Sequence, residues 1–217
     1  MPTQYQLESL PAATILRLTS SDNTNRLTRQ CVVALIETVL HLRSSPKPLI
    51  LAGNPHFFSA GADLAEIAAL TGPAALEFSK LGQRLMNAVA VYPAPTYAAI
   101  EGYCMGGGLD LALACRHRIA SPRAIFGHRG AALGLITGWG GTQRLPRQIG
   151  KDRALYMENS PASLRYTKRL LSAAARAELD AQIDAAVKEN AAIRSTADFR
   201  EGISAFLEKR KPQWSSE

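Results

Sequence analysis

The hydrophobic residues of this 217-residue chain recur with two different spacings. Alternation over residues 14–19 predicts a half-buried strand, the apolar run at 49–52 predicts a buried strand, and residues 96–100 predict a further strand. Apolar positions on one face of residues 29–42 and 74–91 predict two amphipathic helices. Strands and helices therefore alternate, which is typical of an α/β core.

The last part of the chain follows a different pattern. After a glycine-rich loop at residues 127–141, helical spacing covers 142–149, 161–175, 178–195 and 198–209 with few breakers between them. Strand–helix units come first and helices alone follow. The sequence predicts an α/β core over residues 1–150 and a helical region over 151–217.

Composition is that of an ordinary globular protein, with 47% hydrophobic and 20% charged residues. No apolar run approaches the ~18 residues that a membrane span needs, and the start of the chain lacks signal-peptide features. The expectation is a cytoplasmic protein without a membrane partner. Cys31, Cys104 and Cys115 have no metal-binding spacing, so we predict buried thiols and no metal site.

The formal net charge of +7 is concentrated in one segment. Residues 116–153 carry eight basic side chains and a single acidic one, Asp152. Such a segment suits a phosphate-bearing ligand or a nucleic acid. Because no aromatic-rich RNA-binding signature accompanies it, an anionic small molecule is favoured, and RNA binding stays an alternative.

The most informative stretch runs from Ala98 to Cys115, where an apolar strand meets three consecutive glycines, Gly106 to Gly108, and then an apolar helix. Glycines allow close backbone approach to a ligand, and the N–H groups of a helix start receive negative charge. Asp110 stands in the first turn of that helix. The pattern predicts a catalytic corner.

Four segments resemble the crotonase superfamily, the enoyl-CoA hydratase/isomerase family. Phe57–Leu64 and Ala99–Ala112 look like the two loops that supply its oxyanion hole. Gly138–Arg147 resembles a signature further along, and Phe199–Trp214 resembles the C-terminal helix and tail. The resemblance implies a spiral of ββα units, a C-terminal trimerisation region, and a homotrimer or a hexamer made of two trimers.

The resemblance also implies chemistry. The substrate is an acyl-CoA thioester, with coenzyme A part of the substrate and no separate cofactor. Two backbone amides stabilise the enolate oxygen, and the matching positions are Ala62 and Gly107. In hydratases of the family two glutamates act as acid and base; Asp110 holds the first position, and Gly130 stands at the second. His128 is a candidate substitute, since imidazole titrates near neutrality.

Loss of one acid–base partner leaves the reaction open. We predict an enoyl-CoA hydratase-like enzyme; isomerase, decarboxylase or hydrolase chemistry, or acyl-CoA binding without catalysis, are the alternatives. Further candidates to contact CoA are Arg26, Phe58, Ala60, Leu64 and Lys211. A family segment of roughly 40 residues, two or three average helices, is missing near residues 157–160, either deleted or omitted from the chain.

Overall fold

The computed structural model describes residues 4–128, 137–150, 173, 177 and 197–213. The chain divides into two compact units, residues 1–169 and 170–217. The predicted boundary at residue 150 stays a prediction, because residues 151–169 are outside the described part. The helices predicted over 161–175 and 178–195 also fall there, apart from residues 173 and 177, which are helical.

The first unit contains ten strands and five helices among its described residues. The strands are β1 Gln4–Ser9, β2 Thr14–Thr19, β3 Arg26–Leu27, β4 Leu49–Ala52, β5 Phe57–Ser59, β6 Gly61–Ala62, β7 Thr96–Ile100, β8 Tyr103–Met105, β9 His117–Ala120 and β10 Ile125–Gly127. The helices are α1 Arg29–Leu42, α2 Leu64–Ala68, α3 Gly72–Ala90, α4 Gly107–Ala114 and α5 Gly141–Ile149. The second unit contains α6, Ala197–Leu207.

The strands form three sheets. A five-stranded sheet has the order β1-β2-β4-β7-β9, in which β1 is antiparallel to β2 and the other neighbours are parallel. A three-stranded sheet has the order β10-β8-β5, all parallel. Strands β3 and β6 pair in parallel by themselves.

The chain winds through the two larger sheets as a spiral. Each turn places one strand in the five-stranded sheet, the next strand in the three-stranded sheet, and then a helical stretch. The turns are β4–β5 followed by α2 and α3, β7–β8 followed by α4, and β9–β10 followed by α5. The α/β fold with a ββα spiral is therefore confirmed.

Several short strands were not expected from the sequence. These are β3, β5 and β6. Strands of two or three residues are too short to show an alternating pattern, and their partners are distant in sequence. These strands bring the two candidate oxyanion loops together.

The core lies between the five-stranded sheet and helices α1, α3 and α4. All of the residues of α4 are buried, so it is a central helix and not an amphipathic surface helix. The three cysteines are buried in agreement with the prediction, and burial raises the pKa of the Cys31 and Cys115 thiols to about 12. Within the described residues, no helix has the length and apolar character needed to cross a membrane.

Candidate active site

The two candidate oxyanion loops are in contact. Gly61 has a φ of +93°, which favours glycine, and a Cβ at this position would lie 3.0 Å from the amide nitrogen of Gly107. A Cβ at Gly107 would in turn lie 3.3 Å from the amide nitrogen of Ala62. Glycines at 61 and 107 thus let the two loops approach closely and place the amide nitrogens of Ala62 and Gly107 near one another.

The orientation of the two amides follows from the local hydrogen bonding. Leu27 of β3 pairs with Ala62 in parallel register, and the Asp63 N–H donates to the Leu27 carbonyl at 3.4 Å. In a parallel ladder, only alternate residues of a strand bond to the neighbouring strand. Ala62, which precedes the bonded Asp63, therefore points its own N–H away from β3. Gly107 is the first residue of α4, where N–H groups have no partner within the helix. Both amides suit an acceptor oxygen.

The side chain of Asp110 lies one turn further along α4 and is fully buried. The hydroxyl of Thr137 donates to its Oδ2 through a short hydrogen bond. Burial raises the pKa of Asp110 to about 7, although the Thr137 hydroxyl, the Arg144 charge and the Gly141 amide each oppose the shift. A carboxyl group that is partly protonated at neutral pH can both accept and donate a proton.

His128 is the neighbour of Asp110 at this site. It follows β10, whose end is fixed by a hydrogen bond from the Gly106 N–H to the Gly127 carbonyl at 2.8 Å. Its Nε2 lies 3.4 Å from Asp110 Oδ1, without hydrogen-bond geometry, and neither ring nitrogen has a hydrogen-bond partner among the described residues. Burial lowers the pKa of His128 to about 4, so the ring is neutral at pH 7.

Trp139 and Thr137 were not recognised as site residues from the sequence. Trp139 lies within Gly138–Arg147, the third segment that resembles the family. Its indole is buried against Gly107, where a Cβ would lie 2.5 Å from Cζ3, and against Gly82 of α3. The only sequence signal was the position of these two residues at the glycine-rich loop, because their contacts with α3 and α4 depend on the tertiary fold.

Three of the predicted CoA-contacting residues lie near one another, because Arg26 of β3 pairs with Gly61 of β6, which stands between Ala60 and Leu64 in the chain. Arg26 is half-exposed and forms ion pairs with Asp22 and Asp63, and Ala60 is partly buried. Leu64 is 53% exposed at the start of α2, and Lys211 is exposed in the second unit.

The side chain of Phe58 is fully buried in the hydrophobic core, where it is among the largest buried residues, and its contact with CoA stays a prediction. Asp63 has a structural role, since its carboxylate caps α2 by accepting hydrogen bonds from the Ala65 and Glu66 amides. Gly130 and the residues near 157–160 lie outside the described part of the chain.

Comparison with known proteins defines the class. The model of the enoyl-CoA hydratase/isomerase family matches residues 12–158 and 156–217. The chain belongs to this family. The prediction of a crotonase-superfamily enzyme with enoyl-CoA hydratase-like acyl-CoA chemistry is confirmed at that level, without the particular reaction. The two matched stretches meet where a missing segment is predicted, and that deletion or omission stays a prediction.

Individual relatives agree with this assignment. A probable enoyl-CoA hydratase of Bacillus subtilis (strain 168) is 34% identical over 79% of this chain and 82% of its own length. A crotonyl-CoA hydratase of Syntrophomonas wolfei is 31% identical, over 97% of each chain. The crystal structure of an enoyl-CoA hydratase subunit I from Geobacillus kaustophilus HTA426 superposes with a TM-score of 0.65 at 28% identity, over 98% of each chain.

Proposed function

We propose that this chain hydrates a 2-enoyl-CoA thioester, with the thioester oxygen held by the amides of Ala62 and Gly107. The observation that supports the proposal is the close approach of the Gly61–Ala62 and Gly107 backbones at the start of α4, the helix that also carries the buried carboxyl group of Asp110. Hydrogen-bond donors aimed at a developing oxyanion are typically worth ~3–4 kcal/mol each in lowering a barrier.

The proton chemistry is assigned to Asp110. Its carboxylate takes a proton from water as the water oxygen bonds to C3 of the enoyl group, and the displaced electron pair moves onto the thioester oxygen as an enolate. The carboxylic acid formed then returns the proton to C2, so one water is added in total. Such general acid–base catalysis contributes about 10²–10⁴-fold.

His128 is assigned a supporting role. Because the pKa of the ring is about 4, it does not carry the proton at neutral pH. A neutral Nε2 at 3.4 Å from Oδ1 accepts a hydrogen bond from the protonated carboxyl after a small movement. In this role His128 takes the place of the second acidic residue of the family's hydratases, a position that Gly130 occupies in this chain.

The test is a comparison of the wild type with Asp110→Asn and His128→Gln on crotonyl-CoA, followed by product mass. Hydration adds the mass of one water. We expect Asp110→Asn to lose at least about 10²-fold in kcat and His128→Gln to lose less, because only Asp110 transfers the proton. Equal activity of wild type and Asp110→Asn contradicts the assignment.

A second candidate function is acyl-CoA binding without turnover, favoured by Gly130 at the position of the second acid. It predicts saturable binding of butyryl-CoA, no product from any acyl-CoA, and unchanged affinity in Asp110→Asn. The other family reactions are separated in the same assay: isomerisation leaves mass unchanged, decarboxylation loses carbon dioxide, and hydrolysis frees CoA.

The cytoplasmic location and the homotrimer or hexamer belong to the same proposal and are supported by family membership alone. Native mass spectrometry of the purified chain tests the assembly. Masses of three or six subunits agree with the proposal, and a monomer contradicts it.

A further inference from the structure

We infer that Trp139 restricts this enzyme to short-chain acyl-CoA substrates by closing the acyl end of the site. The inference rests on the proposed function, since it takes the amides of Ala62 and Gly107 as the place where the thioester oxygen binds. It adds the substrate class, which family membership leaves open.

The position of the indole is the first observation. A Cβ added to Gly107 would lie 3.3 Å from the Ala62 amide nitrogen. The same Cβ would lie 2.5 Å from Cζ3 and 2.6 Å from Cε3 of Trp139. The six-membered ring of the indole therefore stands beside both proposed oxyanion donors. In the inferred arrangement, an acyl chain leaving a thioester bound at those donors passes this ring within its first carbons.

The second observation is how firmly the indole is held. Its Nε1 donates to the Phe78 carbonyl at 3.3 Å, and the indole packs against the phenyl ring of Phe78 with ring centroids 5.4 Å apart. The Arg144 guanidinium donates to the Trp139 carbonyl at 3.1 Å and to Asn87 Oδ1 at 3.1 Å. Contacts at the ring and at the backbone oppose a simple swing of the indole away from a long chain.

The third observation concerns α3. Gly82 leaves the space that the indole fills, because a Cβ there would lie 2.1 Å from Nε1. Trp139 is only 4% exposed, and its indole fills space between Gly82 of α3 and Gly107 of α4. Replacing the indole by a smaller apolar side chain opens an apolar cavity next to the site, and such cavities accept apolar ligands.

The experiment measures kcat/KM for four-carbon and ten-carbon 2-enoyl-CoA with the wild type, Trp139→Leu and Leu16→Ala. Leu16 is a buried core residue of β2, and its replacement controls for a general loss of stability. We expect the wild type to prefer the four-carbon substrate by at least about 10-fold, since small steric differences in apolar pockets give such ratios. Trp139→Leu is expected to reduce the preference at least about 10-fold, and Leu16→Ala to leave it unchanged.

A preference that is equal in wild type and folded Trp139→Leu overturns the inference, as does a wild type that uses both chain lengths equally. If Trp139→Leu does not fold, Trp139→Phe takes its place. If the wild type turns over neither substrate, the proposed function fails, and the Kd values of butyryl-CoA and decanoyl-CoA then test the inference with the same expected ratios.

Discussion

The buried carboxyl group of Asp110 should make part of the stability of this protein depend on pH. Its ordinary pKa is 3.8, and burial raises the pKa to about 7 in the folded chain. Between these values the folded state binds more protons than the unfolded state, so the free energy of unfolding falls as pH rises. At ~1.4 kcal/mol per pKa unit, Asp110 lowers stability by about 4 kcal/mol once the pH exceeds 7.

His128 acts with the opposite sign. Burial lowers its pKa from 6.5 to about 4, so the unfolded state binds more protons in that range and the free energy of unfolding rises with pH. The two contributions nearly cancel between about pH 4 and 6.5. The pH dependence of the wild type's unfolding free energy therefore shows neither contribution clearly. A substitution is needed to separate the contribution of Asp110 from that of His128.

The perturbation is Asp110→Asn, which keeps the shape and removes the charge. Urea unfolding of both proteins at several pH values gives the difference in unfolding free energy. Between pH 4 and pH 8, the unfolding free energy of the variant should rise relative to that of the wild type by about 4 kcal/mol. Any packing cost of the amide adds the same amount to the difference at every pH. A difference that does not change with pH refutes the account of Asp110 as a desolvated carboxyl group.

Two further predictions concern the residues around Asp110, and a third concerns the buried thiols. Thr137→Val should move the rise of kcat/KM with pH to higher pH, because the Thr137 hydroxyl opposes the increase in the pKa of Asp110, and Thr137→Ser should restore the profile. Gly107→Ala should lower kcat about 10²-fold, because a methyl group 2.5 Å from Trp139 displaces the amide; an unchanged kcat contradicts this geometry. The three buried cysteines should react with a thiol reagent only on unfolding, and rapid labelling of native protein contradicts their burial.

Much of the fold could be predicted from local pattern. Helix α1 begins and ends where the apolar face of residues 29–42 predicts, and the hydroxyl of Thr28, its N-cap, accepts a hydrogen bond from the Cys31 amide at 3.2 Å. Strands β4 and β7 also match their apolar runs. Helix α4 begins two residues earlier than expected, at Gly107, because Gly106 with a φ of +49° serves as its cap.

The site was predicted less completely, and the reason is its dependence on long-range contacts. Asp110 and His128 were each identified from the sequence, but their 3.4 Å separation depends on the spiral that places the end of β10 beside α4. Trp139 contacts residues that lie more than thirty positions away, in segments whose sequences contain no sign of it. The complete burial of Phe58, in a family-like loop, is likewise not visible in a motif.

The central claim is that two backbone amides and Asp110 act together on an acyl-CoA thioester. The most direct measurement incubates crotonyl-CoA separately with the wild type and with Asp110→Asn in water labelled with heavy oxygen. The products are then analysed by mass spectrometry. The account predicts a hydrated product that carries the label from the wild type and at least about 10²-fold less from the variant. No hydrated product from the wild type, or equal amounts from both proteins, contradicts it.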